Sequence, residues 1–563
     1  MSSSSTSRSV PVLIVGAGPI GLALAGDLGW RGIESLLIER SDGQVHQPKM
    51  DMIGIRSMEF CRRWDIIDWV HAAGYNRAYP QDCAWVSQLH GGYEFGREAF
   101  PSVQDEVKPA QSPEKRERCP QNFFDPVLTR FVQRSGKTDL RYHTEYLSHE
   151  ESDDGVRVRL RHVQTGVEET VHCQYLIGCD GGASKVREAL GIRMSGIPAL
   201  TYTTNAIFEC KGLENLHDKR PAYRYIFIGP EGTYATVVAI NGRDQWRFSI
   251  VGDETMRTLT EEEVCKVFRR AVGRDDFEFK TLSLLPWVRR QLVADGYGTA
   301  RVKIAGDAAH LTSPTGGFGM NMGLQDSVDL SWKLEAVLRG WGGPQLLASY
   351  EVERRPVAIR NVNEATHNLK SMLKPRESLS AAVFEPGAAG DAARKTFGDA
   401  YTEAMRREWY TIGIHLGFRY EGSPVVAPDG TAEPQDTVST YEQTSRPGHR
   451  APHVWLAPEV STLDSFGRGF ALVKTRAGVD TSALERAAAQ RGMPLTVLDW
   501  SAHADVRQAY ERALVLVRPD GHVAWRGEDV PADIADTLAR VSGCGSPSAA
   551  DTTDTQTKET ACN

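Results

Sequence analysis

The sequence predicts an α/β protein of two or three domains, on three observations. Residues 10–30 run from a β-branched strand through a glycine-rich turn into a helix. Short alternating segments crowd residues 200–285, and strand and helix alternate again from 469 to 525. With 563 residues the chain also exceeds the ~250–300 at which single cores stop growing.

Taken in order, residues 10–15 are apolar and β-branched, Gly16 to Gly21 form the turn, and residues 22–30 continue helically. A second strand, 36–38, ends at Glu39, which completes one βαβ unit. Apolar residues at helical spacing over 50–70 predict one amphipathic helix. Residues 83–115 are mixed. A helix follows at 126–134, then strands at 156–161 and 171–177. Segments 223–228, 233–240 and 245–251 predict a separate antiparallel sheet, and 324–338 and 346–361 predict helices. Residues 421–452, rich in Pro, Gly, Thr and Asp, read as a linker or extended wrap. Strands at 469–473, 495–498, 513–517 and 522–525, with a helix at 481–490, then make a small α/β segment.

Composition narrows the function. A charged share of 25%, a net charge of −8 and a pI near 6.1 leave no basic footprint for nucleic acid. The polar start MSSSSTSRS and the glycines in the first apolar run argue against a secretory signal or a membrane anchor, so a cytoplasmic protein is expected. Nine cysteines form neither a CxxC pair nor a zinc spacing, which predicts reduced, mostly buried thiols and no metal site.

Three motifs carry chemistry. The first is Gly16-x-Gly18-Pro19-Ile20-Gly21 between strand and helix, with Glu39 eighteen residues beyond. Glycines allow the sharp turn and close approach of backbone to a pyrophosphate. The helix N-terminus offers free N–H groups, and a carboxylate accepts from a ribose diol. This is a Rossmann-like dinucleotide site, and Arg40 adjoins its acid. The second motif is YLIGCDGGASKVR, with Asp180 and Arg187; the third is RVKIAGDAAHLTSPTGGFGMNMGLQDSVDLSWKL, beginning at Arg301.

In this order and spacing the three motifs resemble the single-component FAD-dependent aromatic hydroxylases of the p-hydroxybenzoate and phenol hydroxylase type, over about residues 10–375. The resemblance implies a GR2-type FAD-binding fold, an antiparallel substrate domain, and a thioredoxin-like C-terminal domain. The implied division is a disordered tail at 1–9 and a discontinuous FAD-binding domain at 10–195 and 285–375, with 75–115 partly in a substrate domain at 196–284. A helical segment and linker at 376–449, a thioredoxin-like domain at 450–542 and a disordered tail at 543–563 follow.

Site roles come from the same resemblance. Gly306 and Asp307 are expected to meet FAD hydroxyls, and Gly317, Gly319, Met320 and Asn321 to lay backbone N–H groups against the flavin. Asp180 and Arg187 are expected near FAD and the nicotinamide passage. Gln121 resembles a flavin-binding glutamine, with a surface polar residue as the alternative. Lys49 stands where many relatives carry arginine and lacks its bidentate fork. Asp51 coincides with the aspartate that acts on the substrate hydroxyl in phenol hydroxylases, although an N-cap role fits equally. Pro314 is expected beside the substrate, and His310 at a helix start. Tyr225, Tyr234, Trp246 and Arg247 are strand residues that either face the substrate or pack in the core.

The implied reaction uses NADH or NADPH to reduce FAD, and O2 to hydroxylate a small phenolic ring through a C4a-hydroperoxyflavin in a dry pocket. A hydroxylase of a larger aromatic polyketide or antibiotic, a flavin dehydrogenase or reductase, and a flavin-binding interaction protein are the alternatives. Lacking CxxC, the C-terminal domain is assigned a structural or dimer-stabilising role, which leaves a homodimer open.

Overall fold

Leucine- and valine-rich runs without polar alternation suit parallel strands covered on both faces, and such runs frame the first sheet. The structure, a computed structural model, describes residues 8–252, 255–373 and 379–545. By packing the chain divides into two units. One comprises Met1–Val328, Arg355–Gly417 and Asp436–Tyr441; the other comprises Asp329–Arg354, Phe418–Gln435 and the chain from Glu442.

In the first unit, strands Thr138–Arg141, Ser35–Ile38, Arg8–Val15 and Glu168–Gly178 lie side by side in parallel, and Val302–Ile304 pairs with the end of Glu168–Gly178. Antiparallel strands Gly155–His162 and Thr144–Ser152 extend the other end of that long strand. Three turns therefore leave neighbouring parallel strands at one sheet end: those after Val15, Gly178 and Ile304. In open parallel sheets, ligands settle there.

A second sheet has eight strands in the order His310–Leu311, Lys280–Ala294, Met194–Glu209, Gln245–Val251, Gly232–Ala239, Arg224–Gly229, Cys83–Val86 and Glu94–Glu98. All pairs are antiparallel except Arg224–Gly229 with Cys83–Val86. One face carries an aromatic core of Phe208, Trp246, Phe248 and Phe268. The ring pairs Phe208–Phe268 and Phe248–Phe268 stand 4.6 and 5.1 Å apart.

In the second unit, strands Leu495–Asp499, Phe470–Lys474, Leu514–Val517 and Val523–Gly527 form one sheet, the first pair parallel and the others antiparallel. With helices Ser482–Gln490, Ala504–Tyr510 and Ile534–Val541 between and after them, this is the thioredoxin-like connectivity. A buried ion network accompanies it. Arg518 meets Glu353 at 2.6 Å, Asp520 at 2.7 Å and Asp329 at 3.2 Å, while Lys333 meets Glu353 at 2.6 Å and Asp329 at 2.8 Å.

Several local expectations differ from the structure. The single helix over 50–70 is a short strand, Met52–Ile53, and two helices, Ile55–Arg63 and Ile67–His71. Asp65 breaks them, its φ of 55 being left-handed. The helices at 324–338 and 346–361 run longer, as Phe318–Leu338 and Pro344–Leu373. Arg8 and Ser9, assigned to a tail, belong to the first strand, where they pair with Val171 and His172. Residues 1–7 and 546–563, the rest of the two expected tails, lie outside the described residues.

Removing one partner from a buried ion pair leaves an uncompensated charge, at about 3–5 kcal/mol. Arg518→Ala should therefore lower the second unit's unfolding free energy by about that much in urea titrations followed by circular dichroism. A loss under ~1 kcal/mol would show that the network is stabilised by other contacts.

Candidate active site

The three motifs meet through backbone. Gly16, with φ +101, packs so tightly that an added Cβ would stand 2.5 Å from the Cys179 carbonyl oxygen, and a Cβ on Gly21 would stand 1.9 Å from the Gly16 oxygen. Ile20, at the start of helix Pro19–Trp30, fills the hollow above Gly306 and Gly323; a Cβ on Gly323 would meet its Cδ1 at 2.4 Å. Hydrogen bonds join the same parts: Cys179 N–H to Val15 O at 2.8 Å, Ala305 N–H to Gly178 O at 3.0 Å, and Ser327 Oγ to Ile20 O at 2.9 Å.

Gly18 is different. Nothing lies within 4 Å of its would-be Cβ, so open space adjoins the helix N-terminus. Glu39 stands beside it and accepts from Ala17 N–H at 3.0 Å and Ser41 N–H at 2.9 Å, and Arg40 is exposed next to it. A turn glycine with free space, orphan amides and a neighbouring carboxylate fits a dinucleotide phosphate and ribose.

The flanking acids and bases hold the loops together. Asp180 accepts from Ser184 Oγ and from Val186 N–H at 3.2 Å. Arg187 donates to Gly182 O at 3.0 Å and Ala308 O at 2.9 Å, tying the second motif to the third. Asp307 is half-buried in the single turn Gly306–Ala308. His310 Nε2 lies 2.8 Å from Asp326, which also accepts from Gly306 N–H at 3.1 Å, so His310 braces the turn from behind.

Gly317 and Gly319 lie in and after the turn closed by Gly317 N–H to Pro314 O at 3.1 Å; Met320 is half-buried in the helix that follows. Asn321 is fully engaged by protein. Its Oδ1 accepts from Gly54 N–H at 2.8 Å and Ser57 Oγ at 2.7 Å, and its Nδ2 donates to Gly317 O at 2.7 Å and Met52 O at 3.2 Å. Its side chain therefore clamps the chain after Asp51 to the glycine loop and has no polar atom left for a cofactor.

A cavity of about 530 Å³ opens between that loop and the eight-stranded sheet, with Lys49, Asp51, Pro314 and Arg247 in its lining. Gln121 Oε1 accepts from Lys49 N–H at 3.2 Å and its Nε2 donates to Asp125 at 3.1 Å, so it supports the wall. The Lys49 ammonium stands 5.9 Å from the Trp287 ring. Asp51 is no N-cap; Gly54 holds that place. Its carboxylate accepts from the Tyr223 hydroxyl, from Arg247 at 3.0 Å and from Arg118 at 3.3 Å. Burial alone would raise its pKa, but Arg247, Arg118 and the Tyr223 hydroxyl together hold it below the ordinary carboxylate value. Arg118 also lies 3.6 Å above the Tyr223 ring. His415, on the same lining, is kept neutral, its pKa pushed down to about 4 by burial and then by Arg116 and Arg360.

Three expected substrate residues fall elsewhere. Arg247 and Ser249 take the cavity face of their strand, which turns Trp246 into the aromatic core, where its Nε1 donates to Cys210 O at 3.0 Å. Tyr225 is buried with its hydroxyl on Arg220 O at 2.9 Å, and Tyr234 with its hydroxyl on Ser87 O at 3.0 Å. Strand alternation shows that neighbours oppose one another but not which set faces the core. Tyr223, Arg118, Arg289 and the segment 408–415 escaped notice. Tyr223 and Arg118 lie outside any motif, and the last is brought in by a long-range return of the chain.

Comparison with known proteins agrees with this geometry. Residues 9–365 match the FAD binding domain family and residues 444–545 the aromatic-ring hydroxylase C-terminal family. The chain belongs to the FAD-dependent aromatic hydroxylases. It is 30% identical to the FAD-dependent monooxygenase apdD of Emericella nidulans, over 92% of this chain and 88% of that one. To the 2,4-dichlorophenol 6-monooxygenase of Cupriavidus pinatubonensis it is 29% identical, over 94% of each. A solved structure of RebC, soaked with chromopyrrolic acid and holding bound 7-carboxy-K252c, is 37% identical and superposes with a TM-score of 0.88, over 96% of this chain and all of the other. This hydroxylase is thus an FAD-dependent monooxygenase acting on an aromatic compound. Among the described residues no helix is long and apolar enough to cross a membrane.

Two outcomes follow for the hydroxylase. Gly16→Ala forces a side chain into the left-handed region against backbone, so the purified variant should retain FAD at roughly a tenth or less of the normal content, read by flavin absorbance. Burial raises the Asp125 carboxyl to about 7. The folded form then holds a proton that the unfolded chain releases above its ordinary carboxylate pKa, so wild-type stability is lost as pH rises towards 7. Asp125→Asn should accordingly raise the thermal midpoint at pH 8 and leave it nearly unchanged at pH 4.

Proposed function

We propose that the chain hydroxylates a polycyclic aromatic substrate bearing a phenolic hydroxyl, using NADH or NADPH and O2. The observation that carries this reading is the cavity of about 530 Å³ beside the glycine loop, since pockets of ~300–1,000 Å³ suit ligands of several rings. FAD, when bound, supplies the redox and oxygen-activating chemistry. Glu39 and the Gly16 to Gly21 turn would hold its adenosine and pyrophosphate, Asp307 its ribityl hydroxyls, Lys49 and Gln121 the approach to its ring, and the Gly317 and Gly319 amides the ring edge.

The protein's own task is to keep the cavity dry and to activate the phenol. Tyr223 donates its proton to Asp51, which leaves its oxygen lone pairs free to accept from a substrate hydroxyl. Because Arg247 and Arg118 keep Asp51 ionised, that hydrogen-bond chain draws the phenolic proton outward and enriches the ring in electrons. Pro314, on the opposite lining, limits where the ring can slide.

Polycyclic phenols and simple phenols are to be offered to the FAD-loaded protein with NADH or NADPH, and substrate-stimulated oxidation scored with product mass. The polycyclic compounds should be favoured and gain one oxygen atom; turnover without oxygen in the product would overturn hydroxylation. Tyr223→Phe should lower kcat by about 10²–10⁴-fold with FAD content intact. A change confined to KM would assign the hydroxyl to binding alone.

A further inference from the structure

Most polar side chains on the cavity wall are spoken for by the protein; His415 is not. It lies in the short helix Ile412–Leu416, is only 5% exposed, and its backbone N–H donates to Thr411 O at 3.1 Å. Its imidazole lines the cavity, yet among the described residues neither ring nitrogen has a hydrogen-bond partner. Neither nitrogen is sealed into the packed interior, so both open on the cavity that the ring lines.

The ring is held in place from several sides. A Cβ on Gly54 would stand 2.6 Å from its Nδ1 and its Cε1, so the imidazole abuts that backbone and Nε2 is the nitrogen farther from it. The Phe318 ring lies across it, 6.1 Å away at 66°. The helix that carries it is pinned in turn: Gly413 N–H donates to Val438 O at 2.9 Å, and Arg360 donates to Gly413 O at 3.2 Å. The two nearby cations have other partners, Arg360 meeting Asp436 at 2.7 Å and Arg116 meeting Glu106 at 2.9 Å.

Buried polar groups are almost always hydrogen-bonded, because leaving one unpaired costs its hydration with no return. A fixed imidazole that opens only on a cavity meant to be dry therefore calls for a partner from outside the chain. Burial and the two cations keep the ring neutral, so it offers one N–H and one lone pair. A phenolic hydroxyl, which donates and accepts, can use both kinds of site. Tyr223 and Asp51 reach the cavity from other stretches of chain, so the wall at 408–415 adds a separate polar point.

We infer that His415 is a second anchor for the substrate and takes a second hydroxyl of the aromatic compound, distinct from the one that meets Tyr223. The inference rests on the hydroxylase reading of the same cavity and adds to it the substrate's substitution: two hydroxyls on one ring system. His415 is a specificity residue for the dihydroxylated compound over its monohydroxylated parent.

The test uses the FAD-loaded full chain, without turnover. Binding of 1,5-, 2,6- and 2,7-dihydroxynaphthalene is compared with that of 1-naphthol and 2-naphthol by flavin difference spectra, with titration calorimetry as a readout independent of flavin. Wild type should bind at least one of the three diols about threefold or more tightly than its parent naphthol, as one added neutral hydrogen bond predicts. His415→Phe keeps the ring contact with Phe318 and removes both nitrogens; it should bring diol and naphthol within about twofold, with naphthol binding and FAD content unchanged. His415→Gln, whose amide restores a donor and an acceptor, should recover part of the preference. His415→Met repeats the comparison should phenylalanine not be accommodated. Wild type that binds all three diols less than threefold more tightly than the naphthols overturns the inference, as do Phe and Met variants that keep the wild-type ratio. So does a folded variant that loses FAD or shifts the ligand-free flavin spectrum, since the imidazole would then serve the flavin. Diol preference carried by His415 without any oxygenated product would leave the anchor standing and sink the hydroxylase reading instead.

Discussion

The close approach of three backbone turns at one sheet end governs the rest of the first unit. Gly16 rests against Cys179 and Asp180, and Ile20 sits in the hollow above Gly306 and Gly323. These contacts leave no room for side chains, so they specify glycine by exclusion and not by flexibility alone. The parallel pairing of Arg8–Val15, Glu168–Gly178 and Val302–Ile304 brings the turns to a common level. Residues almost 290 positions apart thereby become neighbours.

From that junction the chemistry is positioned in two directions. Helix Phe318–Leu338 starts at the third turn, and Asn321 in its first turns grips Met52, Gly54 and Ser57. Asp51 is thus set relative to the glycine loop by one side-chain amide that uses every hydrogen bond it has. Strand His310–Leu311, which follows the same turn, joins the eight-stranded sheet by pairing with Leu292 and Val293. The sheet's cavity face and the cofactor loop consequently share one covalent and hydrogen-bonded frame, so that Tyr223, Arg247 and Asp51 meet at fixed distances.

Much of this was legible, for identifiable reasons. Glycine turns after β-branched strands are local features, and the positions of the three motifs, the βαβ unit and the strands near 225, 235 and 247 follow from short-range pattern. The thioredoxin-like segment was legible for the same reason. What pattern does not carry is sidedness and long-range return. Trp246 and Arg247 are adjacent in sequence and oppose one another in the sheet, and only the tertiary packing of Phe208, Phe248 and Phe268 decides which is inside. Arg118, Tyr223 and His415 reach the cavity from three separate stretches. Asn321 was legible as a motif residue, yet its partners were not, because its role is set by a segment 264 positions away.

The electrostatics of the cavity follow from the requirement for dryness. A phenol is best activated by an ionised acceptor, but a carboxylate taken out of water becomes a poor one unless its charge is compensated. Two arginines on Asp51 provide that compensation, and they shift the surplus charge on the walls to positive. Glu408 removes part of the surplus by pairing with Arg224. The arrangement that keeps Asp51 ionised therefore also sets the sign of the charge on the cavity walls.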